Sequence, residues 1–250
     1  MGVAGNRGRG HLNQTGDGAY FDALVDEDGD FNPFTQRGWR TLARRFARVV
    51  PNRNLRMLDV GCGTGRSHGI YAERCSSYVG IDLSLQAVRV ASKRIPHAVL
   101  QADALALPFA EHRFDVVAFS SVLHHIDRRR VALAEASRVL HPGGWVFAFD
   151  PNLLHPAMML FRHPRSPWYS PAGVSPNERP LLPSALREDF AAAGFVDVGQ
   201  RCQSDLPYRK VALPALNAVL PVYNAADWLW ERAGIGRWLG SFVVTWGRKA

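Results

Sequence analysis

Residues 58–65 read Leu-Asp-Val-Gly-Cys-Gly-Thr-Gly and pass from an apolar run into a glycine-rich turn ahead of a helical pattern with Ile70 and Tyr71. Glycines in such a turn let the backbone approach a ligand closely, and amides opening the next helix can receive a carboxylate or phosphate. The spacing is G-x-G-x-G, with Asp59 two residues ahead of Gly61, whereas a dinucleotide fingerprint is G-x-G-x-x-G. An acid at the loop entrance repels a pyrophosphate but suits a ligand with an ammonium group. Asp82 ends a second apolar run and is placed to accept hydrogen bonds from two ribose hydroxyls. Asp103 ends a third and suits the exocyclic amine of an adenine. Three acids at three successive strand ends describe a nucleoside ligand with donors and no phosphate. His124 and His125 follow a fourth run, and Asp150 closes a fifth, where side chains of open α/β sheets gather around a reacting centre. Imidazole suits proton abstraction from a hydroxyl near neutrality. In a strand alternation only one of the two histidines can face the site. Each feature also has a purely structural reading, since glycines can serve the turn alone and an Asp at a strand end can be a helix cap.

The elements that position these residues follow from periodicity. Trp39, Leu42, Phe46 and Val49 share a helical face over 36–50, with Thr35 as cap and Pro51 as stop. Apolar runs at 55–60, 77–82, 97–103, 114–122 and 144–150 alternate with helical patterns, which implies five buried, mainly parallel strands covered on both faces. Ser84 and Asp127 are expected to cap the helices after the second and fourth strands. His141-Pro142-Gly143-Gly144 is expected to end a helix at Leu140 and turn the chain into the fifth strand. Ser184 opens a helix with Leu186, Phe190 and Ala193 on one face, Gly194 closes it, and further strands fit at 195–202 and 241–248.

The stretch from 57 to 150 resembles the class I S-adenosylmethionine methyltransferases, in particular the large group with a compact domain acting on small molecules. The matching pieces are LDVGCGTG, VGIDLS, QADALALPFAEHRFDVV, LHHIDRRR and RVLHPGGW, in order. The resemblance implies a doubly wound, Rossmann-like α/β fold with a seven-stranded, mostly parallel sheet whose last strand is antiparallel. It also implies S-adenosyl-L-methionine as cosubstrate. Carried over residue by residue, it gives Asp59 and the backbone of Gly61, Cys62 and Gly63 to the methionine end, Asp82 to the ribose, and Asp103 with Ala104 to the adenine. Leu83 would pack on the base and Ser120 lie beside the cofactor. The mechanism implied is displacement at an already activated methyl carbon, where alignment and exclusion of water matter most. A base is needed only for an acceptor that is protonated at working pH, and His124, His125 and Asp150 are the candidates.

Substrate recognition is left to three other regions. Residues 19–40 carry Tyr20, Phe21, Phe31, Phe34 and Trp39, with Tyr20 the preferred contact. Residues 151–183 form a Pro-rich connection with His155, His163, Trp168 and Tyr169, too long for a plain link and read as a lid or pocket wall. Residues 205–240 bring Trp228, Trp230 and Trp238 with Leu213, Leu216, Leu220 and Leu229, a stripe whose default reading is core. Together they suggest a small, partly apolar acceptor and O-methylation. The alternatives are an RNA methyltransferase and a non-catalytic cofactor-binding or interaction module. Base methyltransferases of this fold commonly carry Asn-Pro-Pro-Tyr after the fourth strand, and Ser120-Ser121-Val122-Leu123 stands here.

The 250 residues, 47% hydrophobic and 21% charged, have ordinary globular composition. One domain is expected over 19–250, with insertions at 151–183 and 205–240 and a flexible, Gly-rich tail at 1–18. The tail lacks the apolar run of a secretory signal, and Asn6 stands where myristoylation requires Ser or Thr. Cys62, Cys75 and Cys202 are odd in number and lack zinc-site spacing, so neither a metal nor a disulfide framework is expected, in keeping with a cytoplasmic location. The net charge of +8 would suit nucleic acid, but the runs Arg44-Arg45 and Arg128-Arg129-Arg130 fall on helical patterns and read as solvated faces. Apolar stretches such as Val211 to Val222 are broken by Pro214, Asn217 and Pro221 and are too short to span a bilayer. Peripheral membrane contact is compatible with the composition and has no motif behind it, and no oligomeric state follows.

Overall fold

The computed structural model describes residues 17–28, 34–171, 174–209 and 214–250. The tail at 1–16, Phe31, Val211 and Leu213 lie outside the described residues. The strands are β1 (Leu55–Val60), β2 (Cys75–Asp82), β3 (Ala98–Gln101), β4 (Phe114–Ser120), β5 (Leu140–Pro151), β6 (Phe195–Gln203) and β7 (Phe242–Lys249). The helices are α1 (Asp17–Asp28), α2 (Gln36–Val49), α3 (His68–Tyr71), α4 (Leu85–Arg94), α5 (Arg129–Val139), α6 (Pro156–Arg162), α7 (Pro183–Ala192), α8 (Leu220–Arg232) and α9 (Gly236–Leu239).

The sheet order is β3-β2-β1-β4-β5-β7-β6. Strands β1 to β5 pair in parallel, and β7 runs antiparallel between β5 and β6. This is the expected doubly wound, Rossmann-like sheet. Chain order reverses between β1 and β4, so a crevice opens at their carboxyl ends, where ligands bind in open α/β sheets. Alternation along the central strands divides the core. Leu58, Val60, Val117 and Phe119 pack with α5 and α7 residues such as Leu133 and Phe190, and Met57, Val116 and Ala118 pack with Phe46 and Tyr71 on the other face. The five expected strands are therefore not equally buried: β3, at the sheet edge, alternates exposed and half-buried residues.

Several local expectations hold at the level of single hydrogen bonds. Thr35 caps α2 by accepting from the Gly38 amide, and Ser84 caps α4 by accepting from Ala87. Others do not. Helix α5 starts at Arg129 without a side-chain cap, so Asp127 is not its cap. Pro183, with its φ already suited to a first turn, opens α7, and Ser184 lies inside it. The segment after α5 does not form a separate turn: strand pairing resumes at Leu140, and the extra residues of His141-Pro142-Gly143-Gly144 are absorbed as a register shift against Phe114 and Val116. Arg129 and Arg130 are not simply solvated either, because both reach Asp189 of α7, at 3.0 and 2.7 Å. At the amino-terminal end α1 begins at Asp17, within the stretch read as tail.

Candidate active site at the carboxyl edge

Asp59 enters the crevice one residue before the end of β1, fully buried. Its Oδ1 accepts from Ser120 Oγ at 2.5 Å, and its Oδ2 accepts from Ser67 Oγ at 2.6 Å and Tyr78 Oη at 2.7 Å. The Tyr71 and Ser120 hydroxyls are 2.8 Å apart. Burial pushes the Asp59 carboxyl up to about 6, although the three hydroxyls oppose the shift. A carboxylate has about four acceptor positions, so the protein itself uses most of this one. Ser67 and Tyr78 had no sequence signal as partners of Asp59, nor Tyr71 as a partner of Ser120, because the contacts join different elements.

The glycine turn is tied to β2. The Gly61 and Cys62 amides both donate to the Ile81 carbonyl, at 2.9 and 3.0 Å, and the Gly63 amide donates to Asp82 Oδ2 at 2.8 Å. The turn's amides thus hold the loop shape instead of pointing at a ligand, and α3 has only four residues. Gly61 has φ +72° and an added Cβ would fall 2.5 Å from Val122, while Gly63, at φ +53°, faces open space within 4 Å. The first glycine is required by packing and the second leaves room above the loop. Cys62 is buried beside Gly80, and burial holds its thiol well above its usual range.

Asp82 Oδ1 accepts from the Ser84 amide at 2.9 Å, and burial raises its carboxyl above the ordinary value. Asp103 Oδ1 accepts from the Leu105 amide at 2.8 Å, closing a turn that also presents Ala104. Half-buried Leu83 lies beneath Gly18 of α1. That helix was not expected from the sequence. Asp22 fastens it by accepting from Ser84 Oγ at 2.5 Å and the Gln86 amide at 3.0 Å. Phe21 meets His125 edge to face at 5.2 Å and Tyr20 at 5.3 Å, so α1 bridges from the start of α4 to the turn after β4.

His124 and His125 lie on a 3-10 turn, Leu123–His125, so the strand alternation expected for them does not apply. Their rings are 4.0 Å apart. His124 is buried, and Asp150 Oδ1 lies 2.8 Å from its Nδ1 and 3.1 Å from its amide. Burial lifts the Asp150 carboxyl to about 7, and its Oδ2 has no hydrogen-bond partner. His125 Nδ1 is 2.7 Å from Ser175 Oγ. The 151–183 segment returns here, with the Arg179 amide donating to the His124 carbonyl at 2.8 Å.

The outlying residues divide. His155 accepts from the Ala157 amide through Nδ1 and meets Tyr223 through Nε2 at 3.2 Å, and burial lowers its pKa to about 4, keeping it neutral. His163 Nδ1 accepts from the Arg165 amide at 3.2 Å. Trp168 and Tyr169, expected in a pocket wall, are exposed. Trp228, Leu229 and Trp238, expected in core, are exposed as well, and Trp230 is half-buried beside His155.

The methyltransferase domain family matches residues 58–148. A demethylmenaquinone methyltransferase of Renibacterium salmoninarum is 32% identical over 70% of this chain and 76% of its own length. The O-methyltransferase cnsE of Penicillium expansum is 37% identical over 54% of this chain and 56% of its own. Among solved structures, a methyltransferase of Thermotoga maritima superposes with TM-score 0.63 at 19% identity, covering 93% of this chain and 99% of that one. A phosphoethanolamine N-methyltransferase of Haemonchus contortus in complex with S-adenosyl-L-methionine gives the same score at 17% identity, over 92% of this chain and 56% of that one. By fold, by the Gly-rich turn at the β1–β4 switch point and by this kinship, the chain belongs to the class I S-adenosylmethionine-dependent methyltransferases, with S-adenosylmethionine as methyl donor.

Proposed function

We propose that the protein methylates an oxygen of a small, partly apolar acceptor, with His124 taking the acceptor's proton and Asp150 orienting His124. The observation that carries this reading is the 2.8 Å contact between His124 Nδ1 and a fully buried Asp150. With Nδ1–H donated to the carboxylate, the basic lone pair lies on Nε2, and the nearby negative charge stabilises the imidazolium once a proton arrives. The relative named for O-methylation supports an oxygen acceptor, and the one named for a demethylmenaquinone supports an acceptor that is small and partly apolar.

The residues present fit the cofactor. Asp82 sits at a strand end with the open space over Gly63 nearby, and α1 covers the edge. S-adenosylmethionine supplies a methyl group already activated by its sulfonium. Asp82 is assigned to the ribose, Asp103 and Ala104 to the adenine, Leu83 and Tyr20 to the apolar walls, and Asp59 with Ser120, Gly61, Cys62 and Gly63 to the methionine end. Because the turn's amides are already engaged, the Asp59 network acts on that end by shaping the loop and by its charge. Helix α1 excludes water. Residues 19–250 act as one unit, with 151–183 and 205–240 as additions on the acceptor side.

Asp82→Ala is expected to weaken S-adenosylmethionine binding by about 2 kcal/mol, since ribose hydroxyls lose their acceptor and the Gly63 amide loses its own. Calorimetry checks it, and unchanged affinity in a folded variant would remove Asp82 from the ribose. The function itself is tested by screening hydroxylated aromatics, reduced quinones and polyketide-like phenols for S-adenosylhomocysteine production. Turnover confined to amines or to RNA would refute the oxygen assignment.

A further inference from the structure

Helix α8 carries its amphipathic pattern inside out. Its polar residues face the protein: buried Asp227 accepts from the Asp205 amide at 2.9 Å, Asn224 exchanges two hydrogen bonds with the Tyr208 backbone, and Glu231 pairs with Arg201 at 2.6 Å. The outward positions, at helical spacing, are Val222, Ala225, Ala226, Leu229 and Ala233, all exposed. Val222 is 73% and Leu229 56% exposed, and α9 adds Trp238 at 65%. A run of this kind on a surface marks an interaction site.

The charges beside this run identify the occupant. Arg232 lies over the Trp228 ring at 5.0 Å and Arg237 over Trp238 at 5.4 Å. The acids of α8, Asp227 and Glu231, are turned inward, as above, so among the described residues the outer face of this helix presents a guanidinium group and no carboxylate of its own. The chain as a whole carries +8. Apolar residues with tryptophans and arginines at their margin match the interface of an anionic bilayer, where aromatic rings sit at headgroup depth and each cation adds attraction.

We propose that the exposed face of α8 and α9 docks the protein on anionic lipid surfaces. No helix among the described residues is long and apolar enough to cross a membrane, so the contact is peripheral. The face also lies on the right edge. Phe242 pairs with both Pro151, which ends β5, and Gln203, which ends β6, so the crossover carrying α8 leaves and returns at the edge that holds His124 and Asp150. An apolar acceptor would then reach the site from the bilayer. The docking itself does not depend on the acceptor, because it requires no methyl transfer.

The test is co-sedimentation of the full chain with vesicles of phosphatidylcholine containing half phosphatidylglycerol, against pure phosphatidylcholine. Binding to the anionic vesicles is expected, weakened about fivefold for each of Arg232→Gln and Arg237→Gln and at least tenfold in the double variant Val222→Glu/Leu229→Glu. Wild-type affinity for S-adenosylmethionine and an unchanged circular dichroism spectrum show that the variants fold. Should the double variant misfold, the two arginine variants and 1 M salt carry the comparison. Absence of anionic-vesicle binding overturns the proposal, as does binding that neither set of changes alters. A wild-type dimer in sedimentation that Val222→Glu/Leu229→Glu converts to monomer, without vesicle binding, overturns it in favour of an interface between two copies.

Discussion

Replacing His124 by Ala is expected to lower turnover by about 100-fold or more on a hydroxyl acceptor while leaving the affinity for S-adenosylmethionine near wild type. In the proposed mechanism the imidazole takes the acceptor's proton, so its loss acts on kcat and not on cofactor binding. His125→Ala should cost less than about tenfold, since His125 spends Nδ1 on Ser175 and packs edge to face on Phe21 of the covering helix. Asp150→Asn tests the positioning role. Burial holds the Asp150 carboxyl near 7, and the carboxylate is the form that accepts from His124 Nδ1, so wild-type kcat should rise with pH through neutrality. The Asn variant should lose that profile as well as rate. If both histidine variants stay within about threefold of wild type on a phenol of high pKa, the histidine-base mechanism fails and Asp150 becomes the next candidate.

Asp59→Ala is expected to have the largest effect on stability. Ser67, Tyr78 and Ser120 each donate to this buried carboxylate, and each loses its acceptor. An unsatisfied buried polar group costs about 1–3 kcal/mol, so the variant should lose on the order of 3–5 kcal/mol. For a chain of this size that lowers Tm by on the order of 10 °C. Cofactor binding should fall with it, because Ser120 and the β1 end shape the crevice. A scanning-calorimetry Tm within about 2 °C of wild type would show that the network is dispensable. The pH dependence has a defined sign. Burial raises the carboxyls of Asp59 to about 6 and Asp150 to about 7 from an ordinary 3.8, so the folded state binds these protons more tightly than the unfolded chain. The stability they contribute is complete below about 3.8 and is lost as pH rises through about 6 and 7. Wild-type Tm should therefore gain on acidification from neutrality toward pH about 5, and Asp150→Asn should flatten the upper part of that slope.

The sequence by itself determined the sheet, the glycine turn and the places where Asp59, Asp82, Asp103, His124 and Asp150 leave their strands. Those features are local. Strands buried on both faces are mostly apolar, as at 55–60 and 114–120, and a turn with positive φ favours glycine, as at Gly61. Tertiary structure decided what each acid is bonded to. Asp59 reads as an acceptor for a ligand until Ser67, Tyr78 and Ser120, far apart in the chain, converge on it. Asp127 and Ser184 look like caps because residue type is only one requirement for a cap, and the entering backbone sets the rest. Helix α1 has no clear apolar stripe among its acids and aromatics, and Asp22 and Phe21 dock it on partners 62 or more residues away. Helix α8 shows the converse. Periodicity shows that Val222 and Leu229 share a face, but which way a face points depends on whether Asp227 and Glu231 find partners inside, and the backbone of 205 and Arg201 supply them only once the sheet has formed.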